Sequence, residues 1–131
     1  MQNQAVWKTN QVVCQYQRVY LDKPEVTILN ELKANTNGIR MLDIGVGGGR
    51  TTHFFAPLVK DYVGIDYSET MIESCSAKFR DIPNTSFFVC DAREMTRFSD
   101  KSFDFILFSY NGIDYVGLEN RSEGLHEMRR V

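Results

Sequence analysis

The stretch that most constrains this chain is Met41-Leu42-Asp43-Ile44-Gly45-Val46-Gly47-Gly48-Gly49-Arg50. The pattern predicts a short apolar strand, Ile39 to Ile44, that runs into a glycine-rich turn, with a helix beginning at about Arg50–Thr51. Asp43 stands at the strand's end, and the glycines fall as D-x-G-x-G-x-G. Glycine lets a turn visit positive φ and lets backbone approach a ligand closely. Amides at the start of the next helix are free to donate to that ligand. The segment is suited to holding a small molecule against bare backbone.

The rest of the chain repeats a β–α alternation around that turn. Val12, Val13, Tyr16, Val19 and Tyr20 recur at helical spacing from about Thr9. Trp7, ahead of them, reads as a lid or a docked surface residue. Pro24 suits the first turn of a second helix, whose buried face is read as Val26, Leu29 and Leu32; Asn35-Thr36-Asn37-Gly38 ends it. Beyond the glycine turn, Phe54, Phe55 and Leu58 form the apolar side of a helix ending near Pro57. A second strand is predicted over Tyr62 to Asp66, then a helix capped by Ser68 with Ile72, Cys75 and Phe79 inward. A third strand follows at Ser86 to Cys90 and a fourth at Phe103 to Ser109, the latter apolar enough to be covered on both faces. A final helix, Glu119 to Arg130, turns Leu125 and Met128 inward. Residues 1–38 thus read as a helical lead-in and 39–131 as the core.

Such alternation implies right-handed crossovers and a mostly parallel sheet, with strand order 3-2-1-4, in a Rossmann-like three-layer αβα fold of the α/β class. Ligands then bind along the edge where the strands end. At that edge stand Asp43, Asp66, Asp91 and Ser109, spaced 23, 25 and 18 residues apart. One such carboxylate is more often a turn residue or helix cap than a ligand contact. Three in register, with the glycine turn between the first two, favour a site.

Bulk properties narrow the partners. With 131 residues and a formal charge of −2, the chain reads as one core with no clustered basic face for nucleic acid. No apolar run approaches a membrane span, and the amino-terminal residues lack a signal-peptide layout. Cys14, Cys75 and Cys90 are an odd number, too far apart for a zinc knuckle or a CxxC pair, and read as free thiols in a reducing cytoplasm. His53 and His126 read as surface or packing residues. No nucleophile triad or metal cluster appears.

The turn separates two nucleotide classes. A dinucleotide site wants G-x-G-x-x-G, but the sixth position from Gly45 is Arg50, and the third glycine falls at Gly49. Asp43 would repel a pyrophosphate and would favour an ammonium group. A cofactor with a cationic end, a ribose and an adenine fits better.

On these residues the chain resembles the class I S-adenosylmethionine-dependent methyltransferases. The resemblance is carried by Leu42 to Gly49, by Val63-Gly64-Ile65-Asp66-Tyr67-Ser68 with Met71-Ile72, by Cys90-Asp91-Ala92, and by Phe103 to Ser109. It implies that Gly45 and Gly47 line the methionine and ribose portion, with Asp43 at the amino end. It further implies that Asp66 takes both ribose hydroxyls. Tyr67 and Met71 would flank the adenine, Asp91 and the Ala92 amide would meet its amino group, and Ser109 would offer backbone. Arg50 and Thr51 are weaker candidates.

Methyl transfer from a sulfonium is an in-line displacement that asks mainly for alignment and exclusion of water. The acceptor is expected beyond strand four, near Tyr110, Asn111, Asp114 and Tyr115, with Tyr16 and Tyr20 closing over it. The Asn/Asp-Pro-Pro-aromatic motif of amino-group methylators is absent, which favours a small-molecule acceptor. The family's usual sheet has seven strands, whereas the predicted fourth strand here would form an edge. The chain is therefore expected to be a piece of a longer protein, or to have that edge covered by a second copy or a partner. A non-catalytic cofactor-binding or dimerisation module and an NAD(P)-dependent oxidoreductase stay open as alternatives.

Overall fold

The computed structural model describes residues 20–35, 38–109 and 120–131. The helix expected from Thr9, and Trp7 ahead of it, lie outside them, apart from Tyr20. Helix α1 spans Lys23–Lys33, with Pro24 in its first turn as predicted. Strand β1 is Arg40–Ile44, followed by the glycine turn and a short α2, Thr52–Phe55, that tightens into a 3-10 turn at Ala56–Leu58. That tightening has a local cause: Pro57 has no amide to continue α-helical bonding.

Next come β2, Asp61–Asp66, and α3, Glu69–Lys78, whose N-cap Ser68 accepts from the Met71 amide. Strand β3 is Thr85–Val89, β4 is Phe105–Leu107 and α4 is Arg121–Arg130. The four strands are parallel in the order β3-β2-β1-β4. The Rossmann-like α/β architecture and the strand order expected from the alternation are both present.

Strand alternation divides the core between the two faces of the sheet. Met41 and Tyr62 meet Leu29, Phe55, Ala56, Val59 and Leu107 on one side. Leu42, Ile44 and Ile65 meet Met95 and Val131 on the other. A third cluster, Val46, Ile72, Cys75 and Phe79, lies under the glycine turn.

Three details depart from the sequence reading. Strand β4 has three residues rather than the seven expected over Phe103 to Ser109, because only Phe105, Ile106 and Leu107 find partners on β1. In α1, Val26 is 41% exposed, and the inward stripe is Glu25 and Leu29. In α4, Leu125 is 57% exposed, while Gly124 is buried and Met128 packs on the core. Leu29, Leu32 and Met128 face the core as expected, and only Val26 and Leu125 fall outside it. In each helix the inward positions are one i, i+4 pair, Glu25 with Leu29 and Gly124 with Met128.

Candidate functional site

The glycine turn leaves the end of β1 with Gly45, Gly47 and Gly49 all at positive φ, 69°, 57° and 86°. It is sewn to β2 by the amides of Gly45 and Val46, which both donate to the Ile65 carbonyl at 2.8 and 3.0 Å. The Gly47 amide donates to Asp66 Oδ2 at 3.1 Å, and the Gly49 amide to the Val46 carbonyl. From α3, Cys75 Sγ reaches the Gly47 carbonyl at 3.1 Å and Lys78 Nζ the Gly48 carbonyl at 2.8 Å. These four turn amides are therefore spent inside the protein. The turn offers a ligand exposed glycine surface at Gly45, and these four amides are not open to a pyrophosphate.

Asp66, at the end of β2, is the complementary group. Its oxygens accept backbone amides, Gly47 on Oδ2 and Ser68 at 2.9 Å on Oδ1. A carboxylate has about four acceptor sites, so it keeps acceptor capacity beyond its backbone amides. Burial pushes its carboxyl above the usual range, and the amides of Ser68, Gly47 and Tyr67 hold it back.

Asp43 has a different setting. It is 2% exposed, and its Oδ2 accepts from the Thr51 hydroxyl and, at 2.5 Å, from the Tyr62 hydroxyl, which also pairs with Thr52 at 2.9 Å. The side chain ties the far end of the glycine turn to β2. Burial raises its carboxyl to about 6, against the opposing pull of Thr51 and Tyr62. A carboxyl raised on folding binds its proton more tightly folded than unfolded. Its stabilisation is full below about pH 4 and fades as pH rises through about 6. The stability advantage of the wild type over Asp43→Asn is expected to shrink by about 3 kcal/mol between pH 4 and pH 7, from roughly two pKa units at about 1.4 kcal/mol each. Urea unfolding of both proteins across that range checks it. A difference that stays flat with pH would place the titration elsewhere.

Arg50 is turned into the protein. Its guanidinium makes two 2.6 Å bonds to Glu25 of α1, with both side chains about 7% and 6% exposed, and donates to the Tyr20 carbonyl at 2.9 Å. Glu25 also accepts from the Ser109 hydroxyl and from the Asp22 amide. Burial pushes the Glu25 carboxyl up, but these bonds outweigh it and hold it below the usual range. One buried carboxylate thus joins α1, the glycine turn and the chain just beyond β4.

Beyond β3, Asp91 is gripped by Arg93 through bonds of 2.6 to 3.0 Å, which hold its carboxyl below the usual range. With Glu94 and Glu123 these two line an open polar depression of about 310 Å³.

The strand ends do bring Asp43, Gly45, Gly47, Asp66, Asp91, Ala92 and Ser109 to one edge, with Tyr67 half-buried after Asp66. Four expected ligand contacts are placed otherwise by the structure. The side chains of Arg50 and Thr51 are buried and bonded to Glu25 and Asp43, and Met71 is 1% exposed, packed in the interior. The Asp91 carboxylate is occupied by Arg93. Tyr20 is 44% exposed with its ring beneath the Arg50 guanidinium, at 5.7 Å. Tyr16, Tyr110, Asn111, Asp114 and Tyr115 lie outside the described residues.

His53 is exposed and stacks edge-on against Phe79 at 4.8 Å, and His126 is exposed on α4. Among the described residues, no group of three His, Cys, Asp or Glu is placed to hold a metal ion.

The sequence reading missed Glu25 and Tyr62. Glu25 sits on the same helical stripe as Leu29 and Leu32, a charged residue on an apolar face, and that was the available signal. Tyr62 gave none, because an aromatic at a strand start reads as core.

The donor and acceptor set suits a nucleoside with a cationic tail. Asp66 has acceptor capacity for a ribose diol, the turn presents glycine surface, and the amides of Gly45, Val46, Gly47 and Gly49 are not available to an anion. The comparisons agree. The family model described as a methyltransferase domain matches residues 41–131. The chain is 28% identical over 112 residues to the uncharacterized methyltransferase YcgJ of Bacillus subtilis, covering 84% of this chain and 44% of that protein. The crystal structure of YcgJ superposes with a TM-score of 0.72 at 26% identity, covering 84% of this chain and 46% of that one. The PH0226 protein of Pyrococcus horikoshii gives 0.70 at 27% identity, covering 88% and 56%. For the fold alone, S-adenosylmethionine-bound CalS10, an amino pentose methyltransferase of Micromonospora echinaspora, gives 0.70 at 15% identity, covering 98% and 50%. This chain thus spans about half the length of the relatives it matches. It belongs to the methyltransferase domain family, as a class I, Rossmann-like core of the S-adenosylmethionine-dependent kind.

Proposed function

We propose that the chain binds S-adenosylmethionine along its strand-end edge and serves in methyl transfer, by in-line displacement, to a small-molecule acceptor. The observation that carries this is Asp66, a carboxylate at the end of β2 that the amides of Gly47, Ser68 and Tyr67 aim and that keeps acceptor capacity for a ribose diol. When bound, S-adenosylmethionine supplies a methyl group already activated on sulfur.

The protein's own work is placement. The amides of Gly45 and Val46 fix the turn on Ile65, Gly47 and Ser68 aim the Asp66 carboxylate, and Asp43 clamps Thr51 to Tyr62. A turn held at so many points needs little rearrangement to receive the ligand, and preorganisation of this kind lowers the cost of binding. Asp43 acts here as a clamp and as a nearby negative charge for the amino end, and no general base is required of it.

In the same proposal the protein works inside the cell, where Cys75 and Cys90 stay free thiols. Cys75 is buried, and burial pushes its thiol up to about 12, far from a reactive thiolate. No helix among the described residues is long and apolar enough to cross a membrane. Nucleic acid is not the partner, and the outer side of β4 is covered by a second copy or another polypeptide segment.

Calorimetric titration with S-adenosylhomocysteine, against NADH as control, tests the cofactor. Dissociation in the micromolar range for the former and no heat from the latter is the expected pattern. Heat from NADH alone would move the chain to the dinucleotide class.

A further inference from the structure

We propose that Glu25 is a positioning residue that sets the charge at the methionine end of the site: by neutralising Arg50, it keeps the site from penalising the cationic cofactor relative to its uncharged product. The inference rests on the cofactor reading above.

Three observations support it. Arg50 is the last residue of the glycine stretch, so its cation is carried by the same turn that faces the ligand. Glu25 meets it with two 2.6 Å bonds, both side chains being almost wholly buried, where a charge is screened far less than at the surface. Glu25 also accepts from Ser109 at the end of the fourth strand, so the compensating charge lies between two of the loops that form the edge. The fields of both groups reach Asp43, Arg50 lowering its carboxyl and Glu25 raising it.

A buried ion pair is weak evidence for stability, since apolar replacements often do as well. A role in selectivity explains its place here better. S-adenosylmethionine carries a sulfonium and one net positive charge, and S-adenosylhomocysteine has lost that charge. A bare Arg50 would penalise the first and leave the second nearly untouched. A bare Glu25 would do the reverse.

The test is calorimetry of both ligands, at low salt, on the full chain and on Glu25→Gln, Arg50→Gln and the double variant, with circular dichroism to establish folding. The ratio of the two dissociation constants, cofactor over product, is the readout. Glu25→Gln is expected to raise that ratio on the order of ten-fold, the size expected of one uncompensated charge in a weakly screened site. Arg50→Gln is expected to lower it, and the double variant to return it to the wild-type value. General damage to the site would weaken both ligands in parallel, and parallel loss in both single variants overturns the proposal. If one single variant does not fold, the other still decides, because its ratio must move in the direction given. A wild type that binds neither ligand defeats the cofactor reading, and this inference with it. A wild type that binds both, with a ratio unmoved by the variants, defeats this inference alone.

Discussion

Gly49→Ala is expected to destabilise the protein by about 2–5 kcal/mol. Two terms add. Gly49 has φ of 86°, a conformation that costs an L-residue roughly 1–2 kcal/mol. A β-carbon there would also overlap the Phe79 ring, lying 3.0 Å from Cζ and 3.3 Å from Cys75 Sγ. The ring has nowhere to retreat. Phe79 is buried, stacks on Phe87 with centroids 5.7 Å apart, and carries His53 on its other flank. Overpacking of such a site costs about 1–3 kcal/mol. Gly45 is the contrast: it has φ of 69°, but a β-carbon would only touch Phe108 at 3.5 Å, so Gly45→Ala should cost the strain alone. Urea midpoints of the two variants give the comparison. Equal losses would mean that Phe79 moves freely and that the turn is not packed from below.

Asp66→Ala is expected to weaken S-adenosylhomocysteine by about 100-fold or more, while Asp66→Asn loses less. Hydrogen bonds to a charged acceptor are worth roughly 1.5–3 kcal/mol each, and a ribose diol would make two of them. Alanine also strands the amides of Gly47 and Ser68, which now donate to the two carboxylate oxygens at 3.1 and 2.9 Å. The glycine turn therefore loosens at the residue that faces the ligand. Asparagine keeps one acceptor oxygen and the side chain's volume, and so preserves part of the hold on the turn. Calorimetry at matched protein concentration reads both variants. An Asp66→Ala protein that binds as tightly as its parent would place the ribose elsewhere and remove the main support for the site.

These two positions also show how unevenly the site could be read in advance. Asp66 was visible because an acid at the end of an apolar run, one β–α unit after a glycine turn, has few structural reasons to recur at Asp43 and Asp91. The β–α order itself was legible because strands β1 and β2 are compact apolar runs bounded by glycine, proline or a capping serine. Helix faces were less secure. Val26 and Leu125 are apolar and exposed, while Glu25 and Gly124 face inward, since a hydropathy pattern cannot register a charged residue that has a buried partner. Arg50 at the mouth of the turn reads as a ligand contact until its partner on α1, 25 residues earlier, is in view.

The sequence by itself determined the sheet's alternation, the glycine turn and the three acids at the strand ends, because each depends on local periodicity and on conformations that only a few residue types adopt. Tertiary structure alone decided which polar groups those residues spend on one another. Asp43 is committed to Thr51 and Tyr62, Asp91 to Arg93, and Arg50 to Glu25 and Tyr20. Such pairings join segments far apart in the chain, and a buried charge must find a partner wherever the fold brings one. No local pattern specifies that choice.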